Sequence, residues 1–386
     1  MVESIPPLQI TTALVRDAGR RRPLASSTRV TNDARRVFEQ PVAIVVELLG
    51  GIEPARTLLL DALDRRIAVV TANKSLLARC GRELRAAATR TATPLLYEAA
   101  VLAGVPFLGT FARRPHAASA SGLVGIANGT SNYVLGRAVA GVTIAEALRE
   151  AQQHGYAEPD PRADVEGLDA AEKLAVLVHH FAARDVHPDH FEVTGITSVT
   201  SEQSVHATEL DGVIKPVVSA AWTRGTIEGF VGPAFVPLEH PLSRVDGVDN
   251  ALLLTTPHGR LLFQGPGAGP EVTAATVLDD VREVIAGVAP TERCPLAPAR
   301  VETPETEWLV TLTASRLPRA ADLSDLVASY GLFARRWTAR HASGGHETQS
   351  LLTWRTTRDQ LDLALEAVRR ASGCGVTAVR ALEVPA

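Results

Sequence analysis

An alternating α/β architecture, followed by an α+β region and a small βαββαβ unit, is the fold class this sequence predicts. Three observations carry it. Val42-Ala-Ile-Val-Val-Glu-Leu-Leu49 is a continuous apolar run of strand length, the mark of a strand covered on both faces. Strand-like and helix-like segments alternate from residue 8 to residue 97, which implies βαβ units and a parallel sheet. The last part of the chain orders its segments as strand, helix, strand, strand, helix, strand, the ferredoxin-like arrangement.

Taken in order, Leu8 to Val15 is apolar and β-branched and reads as a strand ending in the polar run Arg16 to Arg22. A short helix near Asn32 to Phe38 precedes the 42–49 strand, which Gly50-Gly51 terminates. Ala55, Leu58, Leu59 and Ala62 place one apolar face on a helix over Pro54 to Asp64. The strand Ile67 to Thr71, a helix to Thr89 and the strand Pro94 to Tyr97 follow. From about Gly104 to Gly265 the pattern changes to longer helices, Ile144 to His154 and Ala170 to His180, and a β-rich stretch from Val217 to Phe263. Gly265-Pro-Gly-Ala-Gly-Pro270 opens a helix near Thr273 to Ile285, and the prolines from Pro290 to Pro304 read as a linker. The final unit comprises strand Trp308 to Ala314, helix Ala321 to Tyr330, strands Leu332 to Arg340 and Thr348 to Arg355, helix Thr357 to Ala371 and strand Val376 to Leu382.

A chain of 386 residues has room for two to three domains at roughly 150 residues each. Lys+Arg 39 against Asp+Glu 43 gives a net charge of −4 with pI ≈ 6.3. There is thus no basic excess to hold a nucleic acid or an anionic membrane. Cys80, Cys294 and Cys374 are far apart and odd in number, so a disulfide framework is not expected and a reducing cytoplasm fits. The N-terminal residues lack the basic and apolar runs of a signal peptide, and no window reaches the ~20 apolar residues of a membrane span.

Chemistry concentrates in Gly155-Tyr-Ala-Glu-Pro-Asp-Pro-Arg-Ala-Asp-Val-Glu-Gly-Leu-Asp-Ala-Ala-Glu-Lys173, where six carboxylates precede and open a helix. Asp169 and Lys173 are four apart and share a helix face, and Asp169 sits where the helix dipole favours a carboxylate. A surface i,i+4 ion pair at the end of a loop is the plain alternative. Val69-Val-Thr-Ala-Asn-Lys74 places a lysine past the carboxyl end of a buried strand, where open α/β sheets bind ligands. A solvent-directed lysine uses the same residues. Asn128-Gly-Thr-Ser-Asn132 supplies backbone amides before a helix, suited to an anion or simply to a helix cap. His179-His180, near a helix end, reads as packing or surface.

Tyr156 to Lys173, Thr71-Ala-Asn-Lys74, Asn128-Gly-Thr-Ser-Asn-Tyr133, Gly195-Ile-Thr197, His240-Pro-Leu242 and Gly265-Pro-Gly-Ala-Gly269 together resemble homoserine dehydrogenase, in order, over about Thr11 to Val281. The C-terminal unit resembles an ACT domain. The resemblance implies an incomplete Rossmann-type parallel-sheet domain over 1–105 with 265–288 packing back on it, an α+β catalytic and dimerisation domain over 106–264, a linker over 289–305, and an ACT-like domain over 306–386. It further implies interconversion of L-aspartate 4-semialdehyde and L-homoserine with NADP or NAD by a cytoplasmic homodimer in amino-acid (threonine and methionine) biosynthesis.

The resemblance also assigns roles. Lys74 and Lys173 are the proton-transfer candidates, with Asp164 and Asp169 orienting the lysine and the substrate hydroxyl. Glu158 holds the substrate ammonium, with Gly129, Thr130 and Tyr156 around it. Arg16, Thr71, Asn73 and Lys74 serve the cofactor, and Arg16 with Arg20, Arg21 and Arg22 is compatible with a 2′-phosphate. A monovalent cation of the sodium class is held by the Glu98 carboxylate and the carbonyls of Val101, Ala103 and Val105.

Three departures from the family pattern stand out. Leu8 to Asp17 matches the family's second strand, so its first βα unit with the G-x-G-x-x-G turn is expected to be missing from the sheet, exposing apolar surface and weakening dinucleotide binding. Ala100 stands where many members have Ser or Thr, and Leu102 where they commonly have Gly. Leu317-Pro-Arg-Ala-Ala-Asp-Leu323 replaces the ACT domain's usual Gly-Val-Leu turn. These leave two alternatives beside the dehydrogenase: a non-redox enzyme using the same carboxylate and lysine set, and a non-catalytic binding or regulatory relative.

Overall fold

The computed structural model of the chain describes residues 8–105, 107–112, 119–223, 225–287 and 296–383. Cys294 and the first part of the expected linker lie outside them. In chain order the elements are β1 (Thr12–Leu14), β2 (Arg29–Thr31), β3 (Ile44–Glu47), α1 (Ala55–Asp64), β4 (Ala68–Thr71), α2 (Lys74–Thr91), β5 (Leu95–Leu96), α3 (Leu108–Ala112), β6 (Gly122–Ile126), α4 (Gly129–Val139), α5 (Ile144–Gln153), α6 (Arg162–Val165) and α7 (Leu168–Ala182). There follow β7 (Arg184–Asp185), β8 (Glu192–Val193), α8 (Ser201–Glu209), β9 (Gly212–Trp222), β10 (Thr226–Pro237), β11 (Asp249–Thr256), β12 (Gly259–Pro266), α9 (Pro270–Ile285), β13 (Ala297–Pro298) and β14 (Arg300–Glu302). The chain ends with β15 (Glu307–Ala314), α10 (Ala320–Ser329), β16 (Ala334–Trp337), β17 (His341–Ser343), β18 (His346–Thr353), α11 (Arg358–Ser372) and β19 (Gly375–Ala381).

These elements form two compact units. The first holds residues 1–118, 175–185 and 268–298. Its parallel strands make three sheets, β1–β2, β3–β4–β5 and β7–β13, rather than one. All four residues of β4 are buried, as its apolar run requires, and Val70, Leu96 and Ala99 pack on Val277 and Val281 of α9. Among the described residues β3 pairs only with β4. The other edge of β3 is open, and Val46 and Leu48 are exposed there at 43% and 64%. The cover on both faces expected of the 42–49 run is therefore not found, and within β3 only Glu47 is buried.

The second unit, 119–174, 186–267 and 299–386, is built on one twelve-stranded mixed sheet ordered β12-β11-β6-β9-β10-β19-β15-β18-β16 along its main path. The βαββαβ order expected of the C-terminal segment is present, with its strands arranged β19-β15-β18-β16. This segment nevertheless shares a sheet with the rest of its unit, because β19 pairs in parallel with β10 at Ala234↔Arg380 and Phe235↔Ala381. Alternation along β15 explains how. Trp308, Val310 and Leu312 face a core shared with α10 and α11, while Leu309 joins Leu352 and Val379 against residues of α4, α5 and α8. A sheet buried on both faces needs apolar residues at both parities.

Candidate active site

Between β6 and α4 the chain turns through Asn128, whose extended backbone lets its side-chain Oδ1 accept from the Ser131 N–H at 2.8 Å and cap the helix. The other end of the amide is free to act as a double donor. Nδ2 donates to Asp164 Oδ1 at 2.7 Å and to Asp169 Oδ2 at 2.9 Å. Asp164 lies in α6, and its carbonyl accepts from Ser131 Oγ at 3.0 Å. Asp169 opens α7, and four residues on Lys173 Nζ stands 3.0 Å from Asp169 Oδ2 and donates to the Ala127 carbonyl at 2.7 Å. The Asp169 and Lys173 side chains are only 10% and 11% exposed, so the i,i+4 pair is buried and not a surface pair. Burying these charges is costly unless each is hydrogen-bonded as well as paired. The amide of Asn128 and the carbonyl of Ala127 meet that condition. One ammonium and two carboxylates are thereby fixed on a rigid frame.

Residues predicted to surround a substrate lie in the same unit with different roles in the structure. Gly129 packs against backbone: a Cβ there would sit 2.4 Å from the Val248 carbonyl. Thr130 Oγ1 donates to the Tyr156 carbonyl at 2.5 Å. The Tyr156 ring is partly exposed and meets Tyr133 edge-on at 5.3 Å, with His154 alongside at 5.6 Å. Glu158 is exposed, and only its carbonyl is engaged in the contacts described, accepting from Gln152. One buried polar residue, Lys215, was not singled out from sequence, and it shares an acceptor with Asn132 of the predicted 128–132 turn. Lys215 of β9 donates to the Val245 carbonyl at 2.7 Å and pairs with Asp246, and Asn132 donates to the same carbonyl. Burial of an isolated lysine inside an apolar strand carries no local signal.

In the first unit, Thr71 and Asn73 are buried around Glu47, another residue the sequence did not mark. Thr71 Oγ1 donates to Glu47 Oε2 at 2.5 Å, and Asn73 Nδ2 donates to the Gly51 carbonyl at 2.7 Å and to Glu47 Oε1 at 3.3 Å. Asn73 Oδ1 caps α2 through the Leu76 N–H. Lys74 is the first residue of α2 and half-buried, and Arg16 is exposed just after β1. Glu98 is held by three backbone donors, Phe107 and Leu108 on Oε1 and Gly109 on Oε2, at 2.8 to 2.9 Å. Burial pushes the Glu98 carboxyl up against the pull of those donors. Asp280, which accepts from the Glu98 N–H, is pushed up to about 8 by burial and then by the Glu98 carboxylate. The Ala103 carbonyl accepts from Thr276 Oγ1. Ala100 and Leu102 are both buried, which gives Leu102 a packing role. His179 is buried as well, and His180 packs edge-on against Tyr97.

Comparison with known proteins gives this arrangement its relatives. The family model for homoserine dehydrogenase matches residues 106–281, and the one for the homoserine dehydrogenase NAD binding domain matches residues 4–98. A homoserine dehydrogenase of Synechocystis sp. is 36% identical over 308 residues, 78% of this chain and 69% of the relative. Homoserine dehydrogenases of Bacillus subtilis and Mycobacterium bovis are 36% and 42% identical over 72% and 64% of this chain. The matched stretches span 65% and 57% of those two relatives. A homoserine dehydrogenase structure from Thiobacillus denitrificans superposes with a TM-score of 0.86 at 31% identity, covering 97% of this chain and 90% of its own. A hyperthermophilic archaeal homoserine dehydrogenase in complex with NADPH gives 0.55 at 26% identity over 64% of this chain and 72% of its own. With the buried carboxylate and lysine frame in the second unit and the parallel strands in the first, these matches establish that the chain belongs to the homoserine dehydrogenase family.

Proposed function

We propose that this chain interconverts L-aspartate 4-semialdehyde and L-homoserine with NADP or NAD, as a homodimer acting in amino-acid biosynthesis. The observation that carries the reading is the Asn128–Asp164–Asp169–Lys173 network. Reduction of an aldehyde needs a hydride on carbon and a proton on the developing alkoxide. The nicotinamide, when bound, supplies or accepts the hydride. An ammonium has three donors, and those of Lys173 are directed by Ala127 and Asp169, leaving one for the substrate oxygen, directly or through a water. Asp169 keeps that nitrogen in place, and Asp164 is oriented by the same Asn128 amide toward a substrate hydroxyl. Lys74 is the second candidate for proton transfer. Glu158, with Tyr156, Thr130 and Gly129, is assigned to the amino-acid end of the substrate. Arg16, Thr71, Asn73 and Lys74 are assigned to the cofactor, Thr71 and Asn73 acting by shaping the end of β4 through Glu47.

The fit of the implied cation is judged from its donors. Glu98, Val101, Ala103 and Val105 offer only oxygen, which fits a hard monovalent cation. The crowding of Glu98 with Asp280 and Glu283 puts excess negative charge where such a cation would relieve it. Glu98 would bind through lone pairs its three N–H partners leave, and Ala103 through the lone pair opposite Thr276.

The assay is nicotinamide-linked oxidation of L-homoserine by the full chain. Lys173→Met is expected to lower kcat by about 10²–10⁴-fold, the range for loss of a positioned proton donor, with a much smaller change in KM. Wild-type rates in the variant would remove Lys173 from the reaction, and no turnover by the wild type with either nicotinamide would overturn the assignment.

A further inference from the structure

Away from the carboxylate and lysine frame, the second unit holds a different cluster. His206 and Glu209 lie three apart on α8, so they share a helix face, and β17 brings His341 against them. One donor atom from each of the three lies within 4.8 Å of the others. His206 is fully buried, and its Nδ1 has no hydrogen-bond partner. That nitrogen stands 4.0 Å from Glu209 Oε2, and the His206 and His341 rings meet edge-on at 5.0 Å. A buried, unpartnered imidazole nitrogen in a folded protein requires an explanation.

We infer that His206, Glu209 and His341 form a binding site for a divalent transition metal of the zinc class, tying α8 to β17 of the C-terminal segment. Two imidazoles and a carboxylate are borderline donors that suit Zn²⁺ and Co²⁺ and not Mg²⁺ or Ca²⁺. The tautomer is already set for it. His206 Nε2 lies 3.0 Å from Thr348 Oγ1, and with Nε2–H donating to that hydroxyl the lone pair falls on Nδ1, inside the cluster. Such an outer partner on the second ring nitrogen is the usual companion of a metal-ligating histidine. Glu209 Oε2 accepts from the Ala339 N–H at 3.1 Å while Oε1 pairs with His341 Nε2. Around a tetrahedral zinc at about 2.0–2.2 Å, neighbouring donors stand roughly 3.3 Å apart. Closing the 4.0 Å gap therefore needs only a small rotation of Glu209. The side chains of Glu209 and His341 are 29% and 40% exposed, which gives the ion an entry path and leaves a fourth position for water.

The test uses the untagged full chain, stripped with a chelator and titrated with Zn²⁺ by calorimetry and with Co²⁺ by visible absorption. The expected result is saturable binding of one ion per chain, a tetrahedral Co²⁺ spectrum, and a thermal midpoint that rises with Zn²⁺. His341→Asn, at a partly exposed position, is expected to weaken Zn²⁺ binding by about 100-fold or more, and Thr348→Val by about 10-fold. A wild-type chain with no saturable Zn²⁺ binding overturns the proposal. So does a His341→Asn protein that binds as tightly as wild type.

Discussion

At Asn128 the carboxamide oxygen caps α4 while the nitrogen bridges Asp164 and Asp169, so the two ends of one amide cannot be exchanged for a carboxylate. Asn128→Asp keeps the cap but sets a third carboxylate against the other two, with Lys173 the ammonium paired to Asp169. Loss of two donors in a buried site is expected to cost about 2–4 kcal/mol, read as a lower urea midpoint with unchanged slope. Asn128→Ser, which also caps, should fall between the variant and wild type. His240 offers a second test at this scale. It is 2% exposed, its Nδ1 accepts from the Leu242 N–H, and burial, with a smaller push from Arg260, lowers its pKa to about 4 from an ordinary 6.5. Between those values the unfolded chain takes up a proton that the folded chain refuses, so stability falls as pH drops below 6.5. The loss amounts to about 2 kcal/mol by pH 4.5. His240→Asn keeps a capping acceptor and removes the titration. Its stability measured by urea denaturation should therefore fall less steeply over that interval, and an unchanged slope would reject the assignment.

Element by element, the sequence was legible where one local pattern decides the outcome. The strand read over Ile67 to Thr71 is β4, buried at all four positions, and α7 extends the helix read over Ala170 to His180 by two residues at each end. β6 was missed because its glycines answer to another strand: a Cβ on Gly125 would sit 2.5 Å from the Ala251 carbonyl, a constraint absent from the local sequence. The joining of β19 to β10 rests on two residue pairs between segments about 145 residues apart, and no periodicity records it. The 42–49 run reads as a strand covered on both faces, yet β3 is buried only at Glu47, and Val46 and Leu48 are exposed beside an edge that no described strand pairs. Exposed strand edges with apolar side chains promote association. Val46→Thr with Leu48→Gln is expected to reduce concentration-dependent light scattering on warming while changing stability by less than about 0.5 kcal/mol. If scattering is unaffected, association has another source.

For the whole molecule, the candidate residues divide between the units: Arg16, Thr71, Asn73, Lys74 and Glu98 in the first, Asp164, Asp169 and Lys173 in the second. The lysine and carboxylate set was legible because six carboxylates and a lysine fall in one short stretch, whereas Glu47, Lys215 and the His206 cluster gain meaning only from residues distant in sequence. The division gives dinucleotide binding its own test, separate from turnover. A ligand that binds only the folded chain stabilises it by RT ln(1 + [L]/Kd), about 2.7 kcal/mol at a hundredfold excess over Kd. NADPH in excess should therefore raise the thermal midpoint of the full chain by several degrees. Arg16 is exposed directly after β1, and Arg22 braces the following loop through the Asp17 and Arg20 carbonyls. That arrangement presents positive charge suited to a 2′-phosphate, so the shift with NADPH should exceed that with NADH. Arg16→Ser should bring the two together without changing the unliganded midpoint. Equal shifts in the wild type would remove the phosphate role of Arg16, and no shift with either dinucleotide would show that the split parallel strands no longer hold one. Homoserine binding would then have to be measured alone, as the property of the second unit's carboxylate and lysine frame.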